Sequence, residues 1–397
     1  MRIIQMVPTL NYGDAVGNDI LAIRDLINTW GYETEIWALN IDPRLEKEAD
    51  TFPANPSLYD EDVLIYHGAI SSPLNAQFPS MKGRKVLIYH NITPPHFFHG
   101  FDNGAESSCK LGLEEMQAMA ASHQIDYCLA VSEFNKKDLL RLGFTCPIDV
   151  CPILIPFEDY DAAPDSEWIR MLDEEKVNLL FVGRGSPNKK QEDVVSAFYA
   201  YHMCFNPQSR LILAGSWMES YRASIEAYIK RIGLKIGLDG DVVMTGHVPF
   251  SVILSCYHVA DVFLCMSEHE GFCVPLAEAM YFQIPIVAYA SSAIPETLNQ
   301  SGVLLNKKSS LETAYSVHRL IENIEYTQRI IQSQNRRLAD FSRESVVETL
   351  NQTLLKFIQS GINSDIRRPE YNSQWKRRKQ RKTNLNKMQG RLFSPFI

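Results

Sequence analysis

The chain reads as an α/β protein: two Rossmann-like halves with parallel sheets, facing each other across a cleft, followed by a basic C-terminal tail. Three observations predict this. Strand-like apolar runs alternate with helix-like patterns along almost the whole length, the arrangement expected of parallel sheets covered by helices. The 397 residues suffice for two or three domains. A stretch rich in proline and acid, Cys151-Pro-Ile-Leu-Ile-Pro156 through Pro164, divides the alternation in two.

In the first half, residues 1–150, strands are expected at Arg2–Val7, Glu33–Trp37, Asp62–Tyr66, Lys85–Tyr89 and Tyr127–Val131. Helical patterns fall near Gly17–Thr29, Leu111–His123 and Glu133–Arg141. Residues 151–165 form the linker. In the second half, 166–343, strands are expected at Asn178–Val182, Arg210–Ala214, Asp241–Thr245, Asp261–Cys265 and Pro285–Ala288. A last helical pattern over about Glu344–Ile358 closes the folded part near residue 360, and 361–397 remain as the tail.

Hydrophobic residues make up 45% of the chain, ordinary for a globular protein. No apolar run approaches the roughly 18 residues of a membrane span. The first residues enter a strand without a signal-peptide pattern, so the default expectation is a cytoplasmic location. The eight cysteines show neither a CxxC pair nor zinc spacing, and read as reduced thiols. Net charge is −8, but unevenly spread. Residues 361–397 carry ten Lys/Arg against two Asp/Glu, leaving 29 and 45 in the rest. An acidic body with one local basic run, Trp375 to Lys382, argues against a nucleic-acid partner. That run suits an anionic membrane surface, placing the protein on its inner face, or simply solvent.

The most informative segment is Ser267-Glu-His-Glu-Gly-Phe-Cys-Val-Pro-Leu-Ala-Glu278 after the apolar run Asp261–Met266. It reads as a buried strand, a glycine turn and a helix opened by Pro275. Such a turn aims free backbone N–H groups and the positive helix end at one point, which suits an anion. Two acids, Glu270 and Glu278, flank it. Phosphate held by backbone and hydroxyls held by carboxylates describe a sugar nucleotide. The plainer alternative makes Glu278 a partner of the helix dipole and Glu270 a solvated loop acid.

Glu270-x7-Glu278 with Gly271-Phe272 resembles the signature of the retaining glycosyltransferases of family 4, which have the GT-B fold. The resemblance implies that Glu270 contacts hydroxyls of the donor sugar and Glu278 the ribose. It implies also that the N–H groups of Gly271, Phe272, Cys273 and Val274 hold the diphosphate. Gly183-Arg184-Gly185-Ser186-Pro187-Asn188-Lys189, after the strand Asn178–Val182, is similar to that family's Gly-Arg loop followed by lysine. Arg184 and Lys189 then stabilise charge on the departing diphosphate, Arg as a planar fork and Lys as a point charge. Leu213-Ala-Gly215 and Gly246-His247-Val248 match loops near the nucleotide, and Ile294-Pro-Glu296 a common family turn, with Glu296 in a structural role at the start of a helix.

In the first half, Gly13 and Asp14 lie in the loop that the resemblance places near donor and acceptor, although the paired glycines common there are missing. His90 ends the strand Lys85–Tyr89 and is expected to face the cleft, near the transferred sugar. His67 is a weaker acceptor candidate. Two Asp-x-Asp strings, Asp159-Tyr-Asp161 and Asp239-Gly-Asp241, do not follow apolar strands and read as structural rather than metal-binding. The implied activity is metal-independent transfer, with retention, from a UDP- or GDP-sugar to a glycan or lipid-linked acceptor of polysaccharide assembly. His90, Arg184, Lys189 and Glu270 are the catalytic candidates, and no cofactor is implied. The alternatives are a GT-B sugar-nucleotide epimerase and a non-catalytic binding protein.

Overall fold

The computed structural model describes residues 1–172 and 175–361. Met1–Lys356 form one compact unit, and a second begins at Phe357. The basic run and the expected lipid-docking tail lie outside the described residues.

Every sheet pairing in the first unit is parallel. The first half contains β1 (Arg2–Leu10), β2 (Glu33–Ile41), β3 (Asp50–Thr51), β4 (Val63–Gly68), β5 (Arg84–Tyr89), β6 (Tyr127–Ala130) and β7 (Ile148–Val150). They form one sheet in the order β3-β2-β1-β4-β5-β6-β7. The second half contains β8 (Val177–Val182), β9 (Ser209–Ala214), β10 (Val242–Gly246), β11 (Val262–Cys265), β12 (Ile286–Tyr289) and β13 (Val303–Leu305). Their order is β10-β9-β8-β11-β12-β13. Both sheets therefore reverse direction of growth beside their first strand, between β1 and β4 and between β8 and β11. Helices cover both faces, which is why runs such as Val-Leu-Ile-Tyr in β5 are apolar without alternation.

The ten expected strands are all present. β3, β7 and β13 escape sequence reading because they are two or three residues long, and β7 and β13 carry little buried side chain. The helix expected at Leu111–His123 runs instead over Asn103–Ala121. Its polar first two turns hide the period, while Asp102 accepts the Ala105 N–H at 2.8 Å and sets the true start.

The two halves touch directly. Ser132 caps the helix Glu133–Leu142 by accepting the Asn135 N–H at 3.1 Å and donates to the Gly271 carbonyl at 2.7 Å. Asn91 Oδ1 lies 2.6 Å from His269 Nε2. Glu296 has the expected structural role at a helix start, but the helix is not its own. It sits in the first turn of the helix Ile294–Leu298, but its carboxylate accepts the Glu133 and Phe134 N–H groups at 2.7 and 3.2 Å. It caps a helix of the opposite half, because that helix presents its orphan N–H groups and positive end across the junction. Around Gly271 the expected cleft is thus closed by contact. Glu296→Ala should cost about 1 kcal/mol, the scale of a lost N-cap, read as a lowered thermal unfolding midpoint, while Glu296→Gln should recover part of it.

Candidate functional site

Ligands of open parallel sheets bind beyond the strand ends, where the strand order reverses. In the second half that point lies between the loops following β8 and β11. The β8 loop carries Gly183 and Arg184, then the short turn Pro187–Lys189. Asn188 staples it to the β11 loop: its side-chain amide donates to the His269 carbonyl at 3.0 Å, and its carbonyl accepts the Glu268 N–H at 2.8 Å. This brings Lys189 Nζ to 2.5 Å from Glu270 Oε2. Glu270 is buried at 7% exposure, and its own N–H donates to Ser292 Oγ at 2.8 Å. Burial presses the Lys189 ammonium toward neutrality, but the Glu270 charge outweighs it, and the pKa is raised. Lys190 faces elsewhere, pairing with Glu192 and Glu268 at 3.3 and 3.7 Å. The Arg184 side chain is exposed, and its charge partly offsets the burial that raises the Cys109 thiol of the first half.

In the β11 loop, Cys273 adopts the left-handed conformation at φ 72° and Pro275 is the second residue of the helix Val274–Tyr281. Among the described residues, the N–H groups of Gly271, Phe272, Cys273 and Val274 have no hydrogen-bond acceptor. Gly271 is required by close approach: a Cβ there would lie 2.7 Å from Asn91 Cβ and 2.9 Å from the His90 carbonyl. On the same helix, Glu278 accepts from Tyr160 and Tyr257 hydroxyls, each at 2.5 Å. Burial raises the Glu278 pKa, and the two hydroxyls offset part of that rise. Each oxygen keeps a lone pair for a further donor.

Gly215, after β9, packs on the β8 loop, where a Cβ would stand 2.4 Å from the Gly183 carbonyl oxygen. The Gly183 N–H is taken by Ala214 and the Gly215 N–H by Thr245 Oγ1. These glycines stack the β8, β9 and β10 loops. His247 is exposed at the end of that stack and Val248 is half-buried. Of the Asp-x-Asp strings, Asp161 accepts from Tyr281 and Asp241 from the Lys235 N–H.

Three readings of the first half change. Asp14 is not a free acceptor ligand: it caps the helix Ala15–Thr29, with Oδ1 2.5 Å from the Gly17 N–H and Oδ2 3.1 Å from Asn11 Nδ2. Gly13, beside it at φ 76°, is exposed. His67 is fully buried, with Nε2 2.9 Å from Gln5 Oε1 and Nδ1 2.9 Å from His90 Nε2, so it touches no acceptor in this arrangement. His90 places its main chain at the junction, against Gly271, but turns its ring into the first half, where the side chain is 2% exposed.

Sequence reading missed Asn188, Ser292, Tyr160 and Tyr257 as organisers of this region. Tyr160 had a signal, an aromatic residue set among acids in Glu158-Asp159-Tyr160-Asp161 of the linker. The others are ordinary polar residues whose roles exist only in three dimensions.

Residues 164–337 match the family model described as glycosyl transferases group 1. The O-antigen chain mannosyltransferase B of Escherichia coli is 25% identical over 257 residues, and the match covers about 62% of each chain. Among solved structures, sucrose-phosphate synthase of Thermosynechococcus elongatus superposes with a TM-score of 0.69 at 16% identity, over 91% of this chain and 100% of that one. Anabaena HepE, in complex with UDP and glucose, gives 0.67 at 18% identity with the same coverage. No helix among the described residues is long and apolar enough to cross a membrane. The matched segment contains both loops of the switch point, and the solved structures agree in fold on either side of it: residues 164–337 are similar to the glycosyl transferases group 1, and the chain has the GT-B fold.

Proposed function

We propose that the protein is a retaining hexosyltransferase of the family 4 type, which moves a sugar from a nucleoside diphosphate to a glycan or lipid-linked acceptor without a metal ion. The observation that carries this is the meeting of Lys189 with Glu270 beside four unoccupied backbone N–H groups. Cation and amides suit a diphosphate, and the buried acid suits sugar hydroxyls. Glu278, held by Tyr160 and Tyr257, is the acid we assign to the ribose hydroxyls. The mannosyltransferase relative and the UDP and glucose of HepE make a hexose donor the first to try. An O-antigen-like polysaccharide is the acceptor class that relative favours.

As the glycosidic bond breaks, negative charge grows on the diphosphate. Lys189, released from Glu270 as the donor enters, and Arg184 from the loop edge would stabilise it in place of a metal. Two protein cations and the helix start supply the charge that other architectures take from an ion. We favour a same-face route, in which the departing phosphate is the base that takes the acceptor proton. Entry of the donor requires the halves to part around Gly271 and reclose, with Tyr160 of the linker following Glu278.

Arg184→Ala and Lys189→Ala should each lower kcat by about 10²–10³, the scale of losing one preorganised stabilising group, in a transfer assay with UDP- and GDP-hexoses. Unchanged rates in both variants would remove the proposal. The product anomer, read by proton NMR, should match that of the donor, and EDTA should leave the rate unaltered. An inverted product would rule out the same-face route.

A further inference from the structure

Seven residues separate Cys265 from Cys273, a spacing outside the short zinc motifs, yet the fold brings their sulfurs together. Cys265 is the last residue of β11, and Cys273 stands at the N-cap of the helix Val274–Tyr281. The chain between them doubles back through the glycine turn and carries Glu270. Both sulfurs and a Glu270 carboxylate oxygen lie within 4.8 Å of one another, and all three residues are buried. Bonds of about 2.3 Å to sulfur and about 2.1 Å to oxygen set the ligand atoms of a zinc ion about 3.5–4 Å apart. A small closure therefore completes the set.

Charge balance favours an ion here. Two neutral thiols beside the Lys189–Glu270 ion pair sum to zero. A divalent cation releases one proton from each thiol to solvent, leaving two thiolates and a carboxylate against the ion and Lys189. That sum is again zero, so the buried region exchanges two protons for the ion without gaining net charge. Lys189 takes Oε2 of Glu270 and leaves Oε1 for the ion. Ser267 Oγ, 3.5 Å from Cys265 Sγ, accepts from the thiol and can turn its own hydrogen to the thiolate. Two sulfur ligands select a cation of the zinc class over magnesium or calcium. Asp19, His67 and His90 also lie within 4.8 Å of one another, but they set one negative charge against a divalent ion.

We infer that Cys265, Cys273 and Glu270 form a site for a divalent cation of the zinc class, and that the bound ion excludes the sugar donor. The exclusion, unlike the ion site, rests on the nucleotide-sugar reading above. An ion on Glu270 withholds that carboxylate from sugar hydroxyls, and through Cys273 it pins the turn assigned to the diphosphate. The ion is inhibitory, so transfer without a metal and its arrest by one are compatible.

Cadmium reports thiolate ligation directly, through an ultraviolet charge-transfer band. Titration of the reduced, chelator-treated protein with Cd²⁺ should raise this band to an end point of one ion per chain. Cys265→Ala should lose the band, and Cys265→Ser serves as a second variant should the alanine fail to fold. One equivalent of Zn²⁺ should suppress hexose transfer until EDTA removes it. In Cys265→Ala the same Zn²⁺ should leave the variant's own rate unaltered. The other close thiol pair is Cys128 with Cys146, their sulfurs 3.5 Å apart. No band at one equivalent, a band that persists in Cys265→Ala, or one lost instead in Cys128→Ala would overturn the inference. Zn²⁺ that displaces Cd²⁺ yet leaves transfer unchanged would overturn it too. A metal-free protein that neither binds nor uses any UDP- or GDP-hexose would instead sink the nucleotide-sugar reading, while the cadmium band would still decide the ion site.

Discussion

The site depends on one ion pair, Lys189 with Glu270, at the place where the second sheet changes direction. β8 and β11 are neighbours in the sheet but eighty residues apart in sequence. Only the reversal of strand order puts their loops side by side. A lysine and a carboxylate both largely withdrawn from water are stable only together, since either alone would carry an uncompensated buried charge. The pair therefore fixes the two loops relative to each other and keeps the cation close to the amide groups of the glycine turn. A stronger anion arriving at those amides has a cation ready, and Glu270 is then freed for hydroxyls.

The junction of the halves is organised by the same loops. Gly271 lets the turn press against Asn91 and the His90 carbonyl, and Ser132, His269 and Glu296 bond across the gap. Asn91 and His269 lie next in sequence to His90 and Glu270, and Gly271 belongs to the donor turn itself. Closing the halves and building the site are thus one event. Tyr160 carries the coupling further, since a linker residue holds Glu278. Opening that moves the linker must disturb the carboxylate proposed to hold ribose.

The fold was legible because parallel sheets leave strong marks: unbroken apolar runs, with polar loops at their carboxyl ends. The β8 and β11 loops could be read because glycine, proline, cation and acid stand at fixed offsets from such runs. Asp14 and His67 were misread for a shared reason. A polar residue after a strand can serve its own backbone or core as easily as a ligand, and only geometry separates the two. Asp14 finds the orphan N–H of Gly17, and His67 is locked between Gln5 and His90. Glu296 shows the converse case, where the helix it caps is 160 residues away in sequence and no local pattern announces the contact.

A donor diphosphate should take Lys189 from Glu270 at the glycine turn. A crystal structure with a bound nucleoside diphosphate hexose tests it most directly. Phosphate oxygens are expected on the N–H groups of residues 271–274 and on Lys189 Nζ, with the hexose against the Glu270 carboxylate. A ligand seated elsewhere, or Lys189 still bound to Glu270 with the phosphates in place, would contradict it.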